Sequence, residues 1–212
     1  GREIDWQAQR AGRRWRIAVQ TPRGEYRGVS VPLAGRHQCE NAALAIVAAD
    51  LLWQRGLAIT RRAVHRGLVG VRWPGRLEVL RRRPWLVVDG AHNVDSAARL
   101  AEALVESFPA PRRVLILGTS RDKDLAGIVR VLAPVASHVV ATTSTHPRAA
   151  AAAEVAAAAA AHGLPTTVAR DVPEALALAR QLARVRDLIC ATGSLFVVAE
   201  VRAALGLAAE GC

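Results

Sequence analysis

Lysine is all but missing from this chain: of 29 basic residues, only Lys123 is not an arginine. Methionine is missing altogether and the sequence starts at Gly1, so it is expected to be a piece of a longer translation product. Cysteine is scarce. Cys39, Cys190 and Cys212 are odd in number, far apart and without C-x-x-C spacing. That excludes a disulfide framework and a zinc site, and the expectation is reduced, mostly buried thiols. No uncharged apolar run reaches the roughly 18 residues of a membrane span, and no basic segment followed by an apolar one opens the chain. The expected location is the cytoplasm, with no membrane partner.

Aromatic residues make up only 4% of the chain, which leaves little material for stacking bases. The net charge of +11 therefore needs another reading, because the arginines are spread over the whole chain and residues 81–83 are the only tight triplet. Arginine in place of lysine, beside abundant alanine, fits coding bias. The charge suits a small polyanion such as a nucleotide or a polycarboxylate, and no nucleic-acid partner is expected.

Several catalytic signatures are also absent. His37, His65, His92, His138, His146 and His162 have no H-x-x-x-H spacing. There is no G-x-S-x-G elbow and no G-x-G-x-x-G after a strand. The phosphate-binding loop G-x-x-x-x-G-K-[ST] is missing, and with a single lysine it cannot be hidden.

What is present is apolar and regularly spaced. At 212 residues and 51% hydrophobic, the chain can build a core in one or two domains. Residues 15–31, "WRIAVQTPRGEYRGVSV", alternate around "TPRGE" and predict a β-hairpin. "HQCENAALAIVAADLLWQRG" predicts a mostly buried helix closed by Gly56, and a second helix follows over residues 60–67 with Thr60 as its cap. "RWPGRLEVL" then breaks the pattern at Pro74 and Gly75, a candidate domain boundary.

Beyond that break, "PWLVVDG", "RRVLILGTS", "SHVVATTS", "LPTTVAR" and "RDLICATGS" read as strands apolar on both faces. They alternate with helices beginning near Val94, Asp124, Arg148, Val172 and Ser194. This predicts a doubly wound α/β domain with a parallel sheet. The alanine run 149–161 reads as a crossover helix ended by Gly163.

In such a sheet, ligands collect at the carboxyl ends of the strands, beside helix N-termini. There the chain places Asp89, His92 and Asn93, then Thr119 to Asp124, then residues 143–148, then Gly193 and Ser194. Each has a structural alternative. Asp124 and Ser194 also suit helix caps, and His92 and Asn93 suit a turn.

The stretches "LAGRHQCENAALAI", "VRWPGRLEVL", "VVDGAHN", "DKD" and "ATGSLFVVAEVR", in this order, resemble the C-terminal half of folylpolyglutamate synthase, also bifunctional as dihydrofolate synthase, of the Mur ligase superfamily. The resemblance implies an ATP- and magnesium-dependent ligase that joins folate or dihydropteroate to L-glutamate through an acyl phosphate. It implies that residues 1–72 are the end of a central ATPase domain and 73–212 a Rossmann-like C-terminal domain with a mostly parallel sheet and flanking helices.

On this template Gln38, Asn41, Arg76, Asp89 and His92 are expected to contact ATP, Arg76 at its phosphates, and Asn93 to support them. Lys123 and Ser194 are expected to receive glutamate, with Lys123 and Arg76 the residues closest to the chemistry. The P-loop, most magnesium ligands and most of the pterin pocket are expected upstream of these residues, so the chain alone is expected not to ligate. It is expected to be a monomer. The alternatives are a peptidoglycan-precursor ligase of the same superfamily and a noncatalytic α/β binding module.

Overall fold

The computed structural model describes residues 4–12 and 14–207. The chain divides into two compact units, Gly1–Pro74 and Gly75–Cys212. In the first, β1 (Trp6–Ala11), β2 (Arg14–Thr21) and β3 (Gly24–Val31) form an antiparallel sheet in that order, followed by α1 (His37–Gln54) and α2 (Arg61–Val69). The expected hairpin is β2–β3. Thr21 pairs with Gly24 across a two-residue turn, and Gly24 takes a φ of 115° that a side chain would resist. Thr60 caps α2 by accepting from the Ala63 amide at 3.1 Å.

Ile17, Val19, Tyr26, Val29 and Val31 from one face of this sheet pack with Cys39, Ala42, Ala43 and Ile46 of α1. The buried positions of α1 recur every three or four residues, so one stripe of the helix faces the sheet. The helix is less buried than its composition suggests. Leu44, Leu51, Leu52 and Trp53 are exposed, because a three-stranded sheet covers one side of a helix that is apolar on more than one.

The second unit holds a six-stranded sheet in the order β4 (Glu78–Arg82), β5 (Trp85–Val88), β9 (Leu188–Thr192), β6 (Arg113–Leu117), β7 (His138–Ala141) and β8 (Thr166–Val168). All pairs are parallel except β4–β5. The segment "GRLEVL" thus does more than interrupt a pattern, since it supplies an antiparallel edge strand. Four helices connect the strands, α3 (Val94–Ser107), α4 (Leu125–Leu132), α5 (Ala152–Ala161) and α6 (Val172–Leu182), and α7 (Leu195–Ala204) follows the last of them. Leu86, Val88, Val114, Ile116, Val140, Ile189 and Ala191 share one apolar cluster with α6 and α7. The alternate residues Val87, Leu115, Leu117, Val139 and Cys190 are also buried; strand side chains alternate between faces, so both faces of the sheet are covered.

Helix α5 starts at Ala152, four residues later than expected at Arg148. The intervening backbone pairs with the loop after β6 instead: Ser120 bridges Ala149, and the Ala150 amide donates to the Thr119 carbonyl at 2.8 Å. Cys39 and Cys190 are buried free thiols, while Cys212 lies outside the described residues. Among the described residues no helix is long and apolar enough to cross a membrane.

Candidate active site

The carboxyl ends of β5, β9 and β6 lie side by side in the sheet, although β9 follows β6 by some 70 residues in the chain. Asp89 ends β5. Its Oδ2 accepts from the Leu77 amide at 2.8 Å and its Oδ1 from the Ala91 amide at 2.9 Å. Leu77 has a positive φ of 42°, a conformation an L-residue adopts only when its surroundings hold it there. The Gly90 amide also donates to the Gly75 carbonyl at 2.9 Å, and Glu78 accepts from the Gly75 amide and from Arg202. The Gly75–Leu77 turn is therefore stapled to the sheet edge from both sides. Arg76, flanked by buried Gly75 and Leu77, is exposed. Burial raises the Asp89 pKa above the ordinary carboxylate value, and the two amide bonds and then Arg76 and His92 oppose the shift.

His92 places Nδ1 at 2.8 Å from the Gly90 carbonyl. A carbonyl only accepts, so Nδ1 carries the proton, and in the neutral ring Nε2 is the free acceptor. Asn93 caps α3: its Oδ1 accepts from the Ser96 amide at 2.8 Å, and Ser96 Oγ accepts from the Asn93 amide in return.

Gly193 follows β9 with a φ of 97°. A Cβ there would lie 2.4 Å from the Gly118 carbonyl oxygen, and one on Gly118 would lie 2.9 Å from the Thr142 carbonyl oxygen. Three strand ends thus meet backbone against backbone. Ser194, buried, caps α7 by accepting from the Phe196 amide at 3.1 Å, which leaves its hydroxyl proton available to donate. Beyond β6, Asp124 caps α4 through the Gly127 amide at 2.9 Å. Lys123 stands just before it, half-buried, with Nζ 2.9 Å from Asp122; that hydrogen bond holds the exposed Asp122 carboxyl below its usual range. No hydrogen bond joins Lys123 to Ser194.

In the loop after β7, Thr145 donates twice to Glu200 and the His146 ring stacks on Phe196 at 3.8 Å. Thr119, already placed at this edge by the sequence, and Thr142, which the sequence did not single out, have buried Oγ1 atoms with no hydrogen-bond partner among the described residues. A threonine ending a strand is too common a pattern to have marked the latter.

Gln38 and Asn41 belong to the first unit, at the start of α1. Their i, i+3 spacing brings them together: Asn41 Nδ2 donates to Gln38 Oε1 at 3.0 Å, and Gln38 Nε2 lies 2.9 Å from the His37 ring. An open concavity of about 310 Å³ in this unit is lined by Ile4, Trp6, Glu40, Ala43 and Leu44 and holds none of the candidate residues. Among the described residues no group of three or more His, Cys, Asp or Glu side chains converges as a metal would require.

Residues 75–195 match the family model described as the Mur ligase, glutamate ligase domain. The chain is 36% identical over 186 residues to a probable bifunctional folylpolyglutamate synthase/dihydropteroate synthase of Haloferax volcanii, covering 88% of this chain and 22% of that protein. The folylpolyglutamate synthase of Mycobacterium tuberculosis, solved with ADP and AMPPCP, superposes with a TM-score of 0.87 at 32% identity, over 94% of this chain and 47% of that one. A bifunctional folylpolyglutamate synthase/dihydrofolate synthase solved with Mn, AMPPNP and L-glutamate gives 0.77 at 28% identity, over 95% of this chain and 46% of that one. The chain thus spans under half the length of these relatives.

Proposed function

The chain belongs to the Mur ligase family, and on that premise we propose that it forms the C-terminal, glutamate-receiving part of an ATP-dependent folylpolyglutamate/dihydrofolate synthase of the cytoplasm. The observation that carries this reading is the meeting of Asp89, His92, Lys123 and Ser194 at the carboxyl ends of three neighbouring strands. Those strand ends carry a carboxylate, an imidazole, an ammonium and a hydroxyl, at the edge where parallel sheets bind ligands.

In this proposal the substrate carboxylate attacks the γ-phosphorus of ATP, releasing ADP and leaving an acyl phosphate. The α-amine of glutamate then attacks the acyl carbon, phosphate departs, and the nitrogen loses a proton to complete the amide. Arg76 is suited to the phosphates, because its forked donors match phosphate oxygens and its turn is fixed by Asp89. The His92 Nε2 acceptor and the remaining lone pairs of Asp89 suit the sugar and base of the nucleotide. Gln38 and Asn41, in the first unit, offer amide donors and acceptors of the kind a nucleotide can use. Lys123 and Ser194 meet the carboxylates of glutamate, and the free N–H groups at the start of α7 add to their field. The contribution of this part is orientation of the amine against the acyl carbon, an effect worth on the order of 7 kcal/mol or more when geometry is right.

The test is titration of the 212-residue chain with L-glutamate, followed by backbone amide chemical shifts. Shifts are expected around Lys123 and Ser194, and Lys123→Ala is expected to weaken them at least about tenfold, the loss of one charge-assisted contact. Shifts elsewhere, or unchanged titration by the variant, would remove Lys123 from the glutamate site. In a form extended to the length of the relatives, turnover with dihydropteroate, and none with nucleotide-linked muropeptides, is expected.

A further inference from the structure

Along the chain the arginines look scattered, but the fold gathers a group of them at the amino edge of the second unit's sheet, opposite the candidate active site. The end of β4 carries Arg81 and Arg82, the turn into β5 carries Arg83, α6 ends near Arg180, and the loop entering β9 carries Arg184 and Arg186. Strands β5 and β9 are direct neighbours, and the Trp85 amide donates to the Asp187 carbonyl at 3.1 Å, so turn and loop lie side by side. All six guanidinium side chains belong to exposed residues. Partial burial and then Arg81 lower the pKa of Arg180, a sign of like charges held close.

None of the six makes an ion pair or a side-chain hydrogen bond among the described residues; the Arg82 guanidinium lies over the Trp85 ring at 5.4 Å. Elsewhere, some exposed arginines sit beside acids, Arg27 with Glu25, Arg99 with Asp95, Arg170 with Asp171 and Glu174, and others such as Arg62, Arg66 and Arg72 are likewise without an ion pair among the described residues but are not gathered at this edge. At this edge the nearby acid is Asp187, which is buried, accepts from the Arg184 amide and lies 3.8 Å from Arg112. Coding bias accounts for arginine over lysine. It does not account for six unpaired cations gathered at one edge of the sheet, an arrangement that repels itself unless an anion arrives.

The choice of anion follows from what accompanies the charge. A protein interface or a bilayer needs an apolar centre, and within these segments the only strongly exposed apolar side chain is Val185, at 68%. Guanidinium forks, by contrast, match phosphate oxygens in pairs. We propose that this amino edge is a docking surface for the phosphodiester backbone of a nucleic acid, recognised by charge and without regard to base sequence.

The test is fluorescence anisotropy of the 212-residue chain with a labelled single strand about 20 nucleotides long, as RNA and as DNA of the same sequence. Both are expected to bind at low salt with Kd of about 10 µM or tighter. The set Arg83→Glu, Arg184→Glu and Arg186→Glu is expected to bind at least about tenfold more weakly and to lower the slope of log K against log salt by about 2. A control set of equal charge from the first unit, Arg62→Glu, Arg66→Glu and Arg72→Glu, is expected to change affinity less than about threefold. If the first set fails to fold, Arg83→Gln, Arg184→Gln and Arg186→Gln replace it, with at least about threefold weakening expected. Equal losses in the two Glu sets would reduce the effect to net charge and overturn the proposal. So would the absence of binding, or tighter binding of poly-L-glutamate than of either nucleic acid.

Discussion

The two units handle buried polarity in opposite ways. In the first, a carboxylate sits inside the core: Asp50 is 2% exposed and accepts from the Thr21 hydroxyl at 2.5 Å and the Tyr26 hydroxyl at 2.6 Å, with Arg23 at 3.8 Å. Burial, and then this hydrogen bond, push the Tyr26 pKa up to about 12. The network is closed and ties α1 to the sheet. In the second unit the cluster between sheet and helices is wholly apolar. Its buried uncharged polar groups Thr119, Thr142, Thr192 and Ser194 stand at the carboxyl ends of strands, while its buried charges are met: Asp187 accepts from the Arg184 amide and Arg202 pairs with Glu78; among the described residues two of the threonine hydroxyls have no partner. A closed network inside a core is architecture. An open one at a sheet edge leaves hydrogen-bonding capacity that a ligand can use, because an unmet buried polar group is costly until something meets it.

The hardest blow to that contrast is Asp50→Ala. It strips the acceptor from two buried hydroxyls and the counter-charge from Arg23, so a loss of about 3 kcal/mol is expected. Urea denaturation followed by fluorescence reports it, since Trp6, Trp15, Trp53 and Trp73 all belong to the first unit. Glutamate-induced shifts at Lys123 should persist in the variant. A loss under about 1 kcal/mol would mean that the closed network does not hold the unit together.

A smaller effect separates capping from binding at the edge itself. Asn93→Ala should cost about 1 kcal/mol, and Asn93→Ser should recover most of it, because either side chain can accept from the Ser96 amide. Ligand affinity falling by more than this destabilisation explains would move Asn93 into the site.

The smallest expected effect is on pH dependence. The Asp89 pKa is raised in the fold, so its contribution to stability is full below the ordinary carboxylate value of about 4 and is lost as pH rises through the raised value. The Tm difference between the parent and Asp89→Asn should therefore shrink as pH climbs from about 4 to 7. A difference that grows over that range would contradict burial as the dominant cause.

Much of this was legible beforehand, and for definite reasons. Strands apolar on both faces and separated by single helices demand a covered parallel sheet, and the caps at Thr60, Asp124 and Ser194 follow from side chains that accept from nearby amides, whereas Asn93, read as a turn residue, proves to cap α3. Strand order was not legible, since nothing local in "RDLICATGS" says that it will slot between β5 and β6. Strand β1 went unread because "WQAQRA" is short and mostly exposed. The stapling of the Gly75–Leu77 turn depends on a carboxylate twelve residues away, a contact that no spacing rule announces. The placement of the arginines was not legible either: along the chain they are scattered, while adjacency across strands brings six of them to one edge.

Helix α5 carries a last consequence, one of copy number. Residues 149–161 are alanine apart from Glu154 and Val155, and within α5 only Val155 and Ala159 are buried. One extra residue turns the remainder of a helix by about 100°, which in an ordinary crossover would roll polar side chains into the core. Here the turn exchanges one alanine for another, so the sheet would meet nearly the same methyl groups as before. A gain or loss in this tract would be felt at its two punctuation marks: the Glu154 bond to the Ala151 amide, and Gly163 with its φ of 72°. The segment most open to drift in length is thus built so that drift is registered at its ends and not along its packed face.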